Sequence, residues 1–257
     1  MQMPHNALKR ALAAGETRIG LFLGMADGYA AEIVAGAGFD WLLVDGEHGP
    51  NDLRTVLDQF QSLAAWPVEV LVRTPDHDPA RIKQLLDIGV QSLLVPMVES
   101  GEQARALVRA MCYPPAGVRG VGTALARAAH WGGVDGYLQR ADAEMCLIVQ
   151  VESRAGLEAL DEILAVEGVD AVFIGPSDLA ASLGHLGNSA HPEVVAAVEQ
   201  AIARIAAAGK TPGIFCTDPA LARRYRDLGA RFIAVGADTL LLRKAAAGLA
   251  QAFRAEG

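Results

Sequence analysis

Lysine is scarce in this chain: Lys9, Lys83, Lys210 and Lys244 are the only four in 257 residues. None stands at the carboxyl end of an apolar, strand-like run. Lys210 precedes such a run, and the other three fall on helical or terminal segments. Chemistry through a lysine imine is therefore disfavoured, because it needs an amine held inside the site. Cysteine is rarer still. Cys112, Cys146 and Cys216 are scattered, with no CxxC and no histidine spacing suited to zinc. Three isolated thiols suggest a reducing, cytoplasmic setting. Positive charge is in deficit: the formal net charge is −8, so nucleic acid is not an expected partner. The first 18 residues carry Lys9, Arg10, Glu16 and Arg18 but no apolar core, so no secretion signal is read there. No run approaches the roughly 18 apolar residues of a membrane span, so no membrane partner is expected. A GxxxxGK[ST] loop and a dinucleotide fingerprint are missing too. Gly117-Val-Arg-Gly120-Val-Gly122 is glycine-rich but follows no strand, and so reads only weakly as a phosphate loop.

What is present is apolar. Hydrophobic residues make up 52% of the chain and charged ones 20%, enough to fill a large core. Eight short runs rich in Val, Leu and Ile are apolar on both parities: 19–24, 39–45, 68–73, 92–98, 145–152, 169–174, 211–216 and 232–236. Strands covered on both faces have that pattern, as in parallel sheets. Between them lie helical patterns at 28–37, 51–64, 79–88, 101–111, 156–166, 192–208, 219–228 and 239–254. Several open with cap chemistry, such as Asp78-Pro79 and His191-Pro192-Glu193, and several close on Gly89, Gly209 or Gly229. Eight strands alternating with eight helices predict a single (β/α)8 TIM barrel domain over 1–257, with a doubly wound open sheet as the alternative. The stretch 113–142 interrupts the rhythm. A connector that long suggests a lid or an oligomer contact, against a tolerated surface insertion.

Three of the strands end in polar groups. Phe39-Asp-Trp-Leu-Leu-Val-Asp-Gly-Glu-His48 runs into acids and a histidine, Met145-Cys-Leu-Ile-Val-Gln-Val-Glu152 into Gln150 and Glu152, and Val169-Asp-Ala-Val-Phe-Ile-Gly-Pro-Ser-Asp178 into Asp178. Carboxylates at the end of a buried strand cost free energy unless something pairs with them. Several such ends on one rim is how a parallel barrel builds an active site. Side chains alternate along a strand, so Gln150 and Glu152 share a face. Gly175-Pro176 re-aims Ser177 and Asp178 over the same rim. Glu152 and Asp178 thus suit a divalent cation, acid–base work with one shifted pKa, or mere solvated rim charge. His48 is a candidate general base, with Asp45 placed to orient it or to hold a metal-bound water. Arg73 ends the third strand, where a forked cation suits a carboxylate or a developing enolate; pairing with a neighbouring acid is the plainer alternative.

Longer motifs carry a resemblance. Ala37-Gly-Phe-Asp-Trp-Leu-Leu-Val-Asp-Gly-Glu-His48, Leu94-Val-Pro-Met97, Tyr113-Pro-Pro-Ala-Gly-Val-Arg-Gly-Val-Gly122, Val149-Gln-Val-Glu152 and Val172-Phe-Ile-Gly-Pro-Ser-Asp-Leu179 resemble the HpcH/HpaI aldolase family over almost the whole chain. The likeness is nearest to members acting on 4-hydroxy-2-oxoheptanedioate. It implies a metal-dependent aldolase on a (β/α)8 barrel that cleaves 4-hydroxy-2-oxo acids to pyruvate and an aldehyde. Glu152 and Asp178 would hold the metal, Mg²⁺, Mn²⁺ or Co²⁺. Gln150, Ser177, Asp178 and Arg73 would contact pyruvate, His48 would accept the proton, and Arg73 would stabilise the transition state. The resemblance also points to Asp87 as the acid that raises the basicity of the histidine. Asp87 precedes Gly89 at the foot of its helix, away from the rim, so that role implies His48 of another subunit. A homo-oligomer follows, a hexamer by the family's habit; otherwise Asp87 only charges a helix surface. Two departures stand out: Ser177, where close relatives often carry Ala, and Phe215-Cys216-Thr217, which would reshape the acceptor end of the site. Rival readings are a carbon–carbon lyase for 2-keto-3-deoxy sugar acids or CoA esters, and a non-catalytic barrel that binds an oxo acid.

Overall fold

A computed structural model describes residues 1–254; the last three residues of the expected 1–257 domain lie outside it. Eight strands close into one parallel barrel in sequence order: β1 (Arg18–Leu23), β2 (Trp41–Asp45), β3 (Glu69–Arg73), β4 (Ser92–Val95), β5 (Cys146–Val151), β6 (Val169–Ile174), β7 (Thr211–Phe215) and β8 (Phe232–Ala237). This is the expected (β/α)8 barrel. Alternate parities split the core into two. Leu21, Leu42, Val72, Val149, Val172 and Ile233 face the helices. Phe22, Trp41, Leu43, Leu71, Ile148, Phe173 and Phe232 fill the barrel interior. Trp41 stacks on Phe232 at 4.1 Å inside the barrel. Gly20 makes room for it, since a Cβ there would fall 2.0 Å from the indole.

The helices are α1 (Ala7–Ala13), α2 (Gly28–Ala35), α3 (Leu53–Leu63), α4 (Pro79–Asp87), α5 (Gly101–Met111), α6 (Tyr137–Glu144), α7 (Arg154–Glu158), α8 (Leu160–Leu164), α9 (Pro176–Ser182), α10 (Pro192–Ala207), α11 (Pro219–Asp227) and α12 (Asp238–Arg254). Local chemistry sets their starts. Asp52 and Thr55 form a reciprocal capping box on α3, and Asp78 and Asp218 cap helices that begin with proline.

Several expectations need correction. β4 stops at Val95 rather than 98, because Pro96 has no N–H to extend the ladder. The helix expected at 156–166 is two short ones that meet at Ala159. Helix α1, unforeseen, plugs the lower barrel with Leu8 and Leu12. The stretch 113–142 lies between the foot of α5 and the start of β5, at the face opposite the strand ends. It therefore cannot be a lid over its own barrel's mouth. It folds onto the N-terminus through Met3, Tyr113, Val134 and Tyr137, and the Met1 ammonium donates to Gly133 O at 2.8 Å. Helix α12 starts on buried Asp238, but its Leu240, Leu241, Leu242, Leu249 and Phe253 are all exposed. No described helix is long and apolar enough to cross a membrane.

Candidate active site

The carboxyl ends of the strands surround a cavity of about 340 Å³ lined by Asp45, His48, Arg73, Gln150, Glu152, Ser177 and Asp178, with Phe22, Phe173, Phe215 and Leu240 on its apolar wall. All but one of the sequence-predicted site residues meet here. The exception is Asp87.

Strand register builds the first half. Asp45 of β2 pairs in register with Arg73 of β3. Their side chains lock together, Arg73 Nε donating to Asp45 Oδ1 at 2.8 Å and Nη2 to Oδ2 at 2.7 Å. Asp45 Oδ1 also accepts the amides of Glu47 and His48 at 3.1 and 3.3 Å. Burial works to raise the Asp45 pKa, but the Arg73 hydrogen bonds and charge outweigh it and hold the carboxyl below its usual value. Asp45 therefore grips the turn that carries His48 through the backbone, not through the imidazole. Arg73, almost fully buried, lies 5.2 Å from the Phe22 ring centre. Arg73 pairs with acids, the plainer of its two alternatives, and it also lines the cavity.

Glu47 is the residue the sequence reading missed. Its Oε2 lies 2.8 Å from Arg73 Nη1 and 3.9 Å from His48 Nε2. Burial raises its pKa against the pull of Arg73, and the charges of Asp45 and Asp178 add to the rise. The signal was its place between Asp45 and His48, but strand parity says nothing about a residue on the following turn. His48 itself is two-thirds exposed at the cavity mouth.

Strands β5 and β6 supply the other half. Gln150 and Glu152 do share a face, and Gln150 Nε2 donates to Glu152 Oε2 in a short contact. The Met97 amide donates to Glu152 Oε1 at 2.9 Å. Both side chains are nearly inaccessible, yet Gln150 Oε1 has no protein partner. Burial raises the Glu152 pKa in spite of its donors, and the charges of Asp178 and Glu47 raise it further. Gly175 lets the strands close around this group: a Cβ there would fall 2.3 Å from Glu152 Oε2. Ser177 and Asp178 follow on the first turn of α9, exposed at the mouth.

The electrostatic balance is lopsided. Arg73 is the only Arg or Lys among the described residues lining the cavity; Asp45, Glu47 and Glu152 act on it, and Asp178 adds a fourth acid beside Glu152. A divalent cation is the species that such a set of oxygen donors accommodates. Glu152 and Asp178 are the two pocket acids not held by Arg73, and are the residues that would hold such a cation.

Asp87 ends α4 at the opposite face, half-buried. It accepts from Arg119 Nη2 at 3.0 Å. Arg119 is fully buried with its guanidinium 4.5 Å from the Tyr113 ring centre.

The family described as HpcH/HpaI aldolase/citrate lyase matches residues 18–245. The chain belongs to the HpcH/HpaI aldolase family. It is accordingly a carbon–carbon lyase of the aldolase kind. It is 63% identical over 249 residues to a hydroxypyruvate/pyruvate aldolase of Deinococcus radiodurans, covering 97% of this chain and 90% of the relative. It is 56% identical over 251 residues to a 4-hydroxy-2-oxo-heptane-1,7-dioate aldolase of Escherichia coli, covering 98% and 96%. Among solved structures, an HpcH/HpaI aldolase/citrate lyase family protein of Burkholderia cenocepacia superposes with a TM-score of 0.93 at 43% identity, over 97% of this chain and 99% of that one.

Proposed function

We propose that this aldolase reversibly cleaves 4-hydroxy-2-oxo acids to pyruvate and an aldehyde, with a divalent cation held by Glu152 and Asp178. The observation that carries the reading is the excess of acid around Arg73, together with the partnerless Gln150 Oε1 beside buried Glu152. An all-oxygen donor set favours Mg²⁺, Mn²⁺ or Co²⁺. When bound, the cation supplies Lewis-acid polarisation of the 2-oxo group.

The remaining chemistry belongs to the chain. Gln150, Ser177 and Asp178 line the end that takes the oxo acid. His48 accepts the proton of the C4 hydroxyl, the C3–C4 bond breaks, and C4 leaves as the aldehyde. The electron pair passes into the enolate of pyruvate, which is then protonated at C3. Asp45 takes Arg73 Nε and Nη2 while Glu47 lies 2.8 Å from Nη1, so the guanidinium is held in place and its remaining N–H hydrogens would stabilise the developing enolate oxygen without reorganising. The departing aldehyde meets the apolar wall of Phe22, Phe215 and Leu240. A CoA ester fits poorly, because Arg73 is the one cation of the cavity and is already paired.

The same reading makes the protein a homo-oligomer, with a hexamer as its expected form, working in a reducing, cytoplasmic setting. The exposed leucines of α12 and the exposed Val118, Val121, Leu125 and Trp131 of the 113–142 stretch support association. Three unpaired cysteines suit the compartment. Asp87, remote from its own pocket, would then act on His48 of another subunit. The test of the activity is pyruvate release coupled to lactate dehydrogenase. Chelation should abolish it, and Mg²⁺, Mn²⁺ or Co²⁺ should restore it. Full turnover in thoroughly chelated protein, or a borohydride-trapped pyruvate adduct, would refute the reading.

A further inference from the structure

Away from the pocket, the segment between α9 and α10, with the first turn of α10, gathers three groups with transition-metal chemistry. The His185 and His191 rings stack with centroids 3.5 Å apart and planes within 16°. His185 Nε2 lies 2.8 Å from Glu193 Oε2. One donor atom from each of the three residues lies within 4.8 Å of the other two. None of them lines the cavity that holds Glu152.

The backbone fixes this arrangement. The His185 amide donates to Ala180 O at 2.7 Å, the Asn188 amide to His185 O at 2.9 Å, and the His191 amide to Asn188 O at 3.1 Å. His191 is also the N-cap of α10, its Nδ1 accepting the Glu193 amide at a long 3.3 Å. Coordination through that nitrogen would therefore give up only a weak bond. The His185 side chain is 23% exposed and that of Glu193 56%, so an ion can reach them from solvent.

We propose that His185, His191 and Glu193 form a second cation site, for a borderline transition metal such as Zn²⁺. Two imidazoles and one carboxylate, with one position left to water, make a tetrahedral set once the stacked rings turn so that their in-plane lone pairs converge on the ion. Such nitrogen donors favour Zn²⁺, Cu²⁺ or Ni²⁺ over Mg²⁺, the reverse of the preference at the all-oxygen rim. The ion ties the start of α10 to the loop leaving α9, the helix whose first turn carries Ser177 and Asp178. Sequence spacing concealed the set, because a loop and a cap supply the ligands instead of adjacent helical turns.

The test uses the full chain carrying Glu152→Gln, with Mg²⁺ in excess, so that bound Zn²⁺ reports the second site alone. Equilibrium dialysis should find one Zn²⁺ per chain. Adding His185→Gln or His191→Asn should weaken it by at least about tenfold, the scale of losing one ligand in a three-ligand set. Asparagine keeps the α10 cap, so an unchanged circular dichroism spectrum would separate ligand loss from unfolding. Co²⁺ in the parent should give the absorption of a tetrahedral nitrogen-containing site, lost in both variants. Zn²⁺ affinity unaltered by both substitutions, or no Zn²⁺ bound with Mg²⁺ in excess, would overturn the proposal.

Discussion

At the lower end of the barrel, acids have partners. Asp170 accepts the Leu147 amide at 2.9 Å and lies 3.5 Å from Lys9 Nζ. Glu144 accepts the Asn6 amide at 2.7 Å and pairs with Arg10 at 2.9 Å. Asp87 has Arg119. At the upper end one arginine, Arg73, pairs with Asp45 and Glu47, and Glu152 and Asp178 have no cation. Both ends bury carboxylates, and burial pushes the pKa up for Asp170 below as it does for Glu152 above. The difference is compensation. Where acids such as Asp170, Glu144 and Asp87 meet a fixed cation, the arrangement serves the fold. Where acids outnumber cations inside a cavity, either a proton or a bound cation must supply the missing charge.

The contrast predicts that substitutions at the two ends separate activity from stability. The largest effect belongs to His48→Ala, which should lower kcat about 10²–10⁴-fold, the span for a general base. Mixing it with Asp87→Ala after subunit exchange should return part of the activity, because some interfaces would then pair an intact histidine with an intact aspartate. No recovery despite proven exchange would confine Asp87 to a helix surface. Arg73→Lys should lose roughly 10²–10³-fold in kcat, since a point charge cannot reproduce the fork that Asp45 orients. Near-native turnover in steady-state kinetics would remove Arg73 from the mechanism.

The lower end should respond in the opposite way. Lys9→Met leaves Asp170 without its cation, and should cost about 1–3 kcal/mol in a denaturant titration while kcat is little changed. A smaller and opposite effect is expected of Glu152→Gln in metal-free protein. The folded-state pKa of Glu152 is raised, so its ionisation costs stability that is lost as pH rises through that pKa. At neutral pH, Glu152→Gln should therefore melt no lower than the parent by calorimetry, though it is inactive. A clear drop in Tm would mean that Glu152 belongs with the paired acids of the lower end.

Much of this was legible before any coordinates. Val169–Ile174 and its fellow strands are apolar on both parities, which only two-sided burial explains, and eight of them imply closure. Parity then placed Gln150 and Glu152 together, because a strand's period survives to its last residue. It failed one step further on, at Glu47, whose approach to Arg73 depends on the turn after β2. Helix α1 was hidden because seven residues with two leucines read as a tail until a barrel floor exists to bury them. The Arg119–Asp87 pair joins residues 32 apart across a loop with no period, so no spacing rule reaches it.

On the proposed reading, the unbalanced acids of the upper rim bind a divalent cation through Glu152 and Asp178. Mn²⁺ binding, followed by electron paramagnetic resonance on the full chain and on Glu152→Gln and Asp178→Asn, tests it most directly. One Mn²⁺ per chain is expected in the parent, weakened at least about tenfold in either variant. Mn²⁺ affinity that survives both substitutions intact would contradict it.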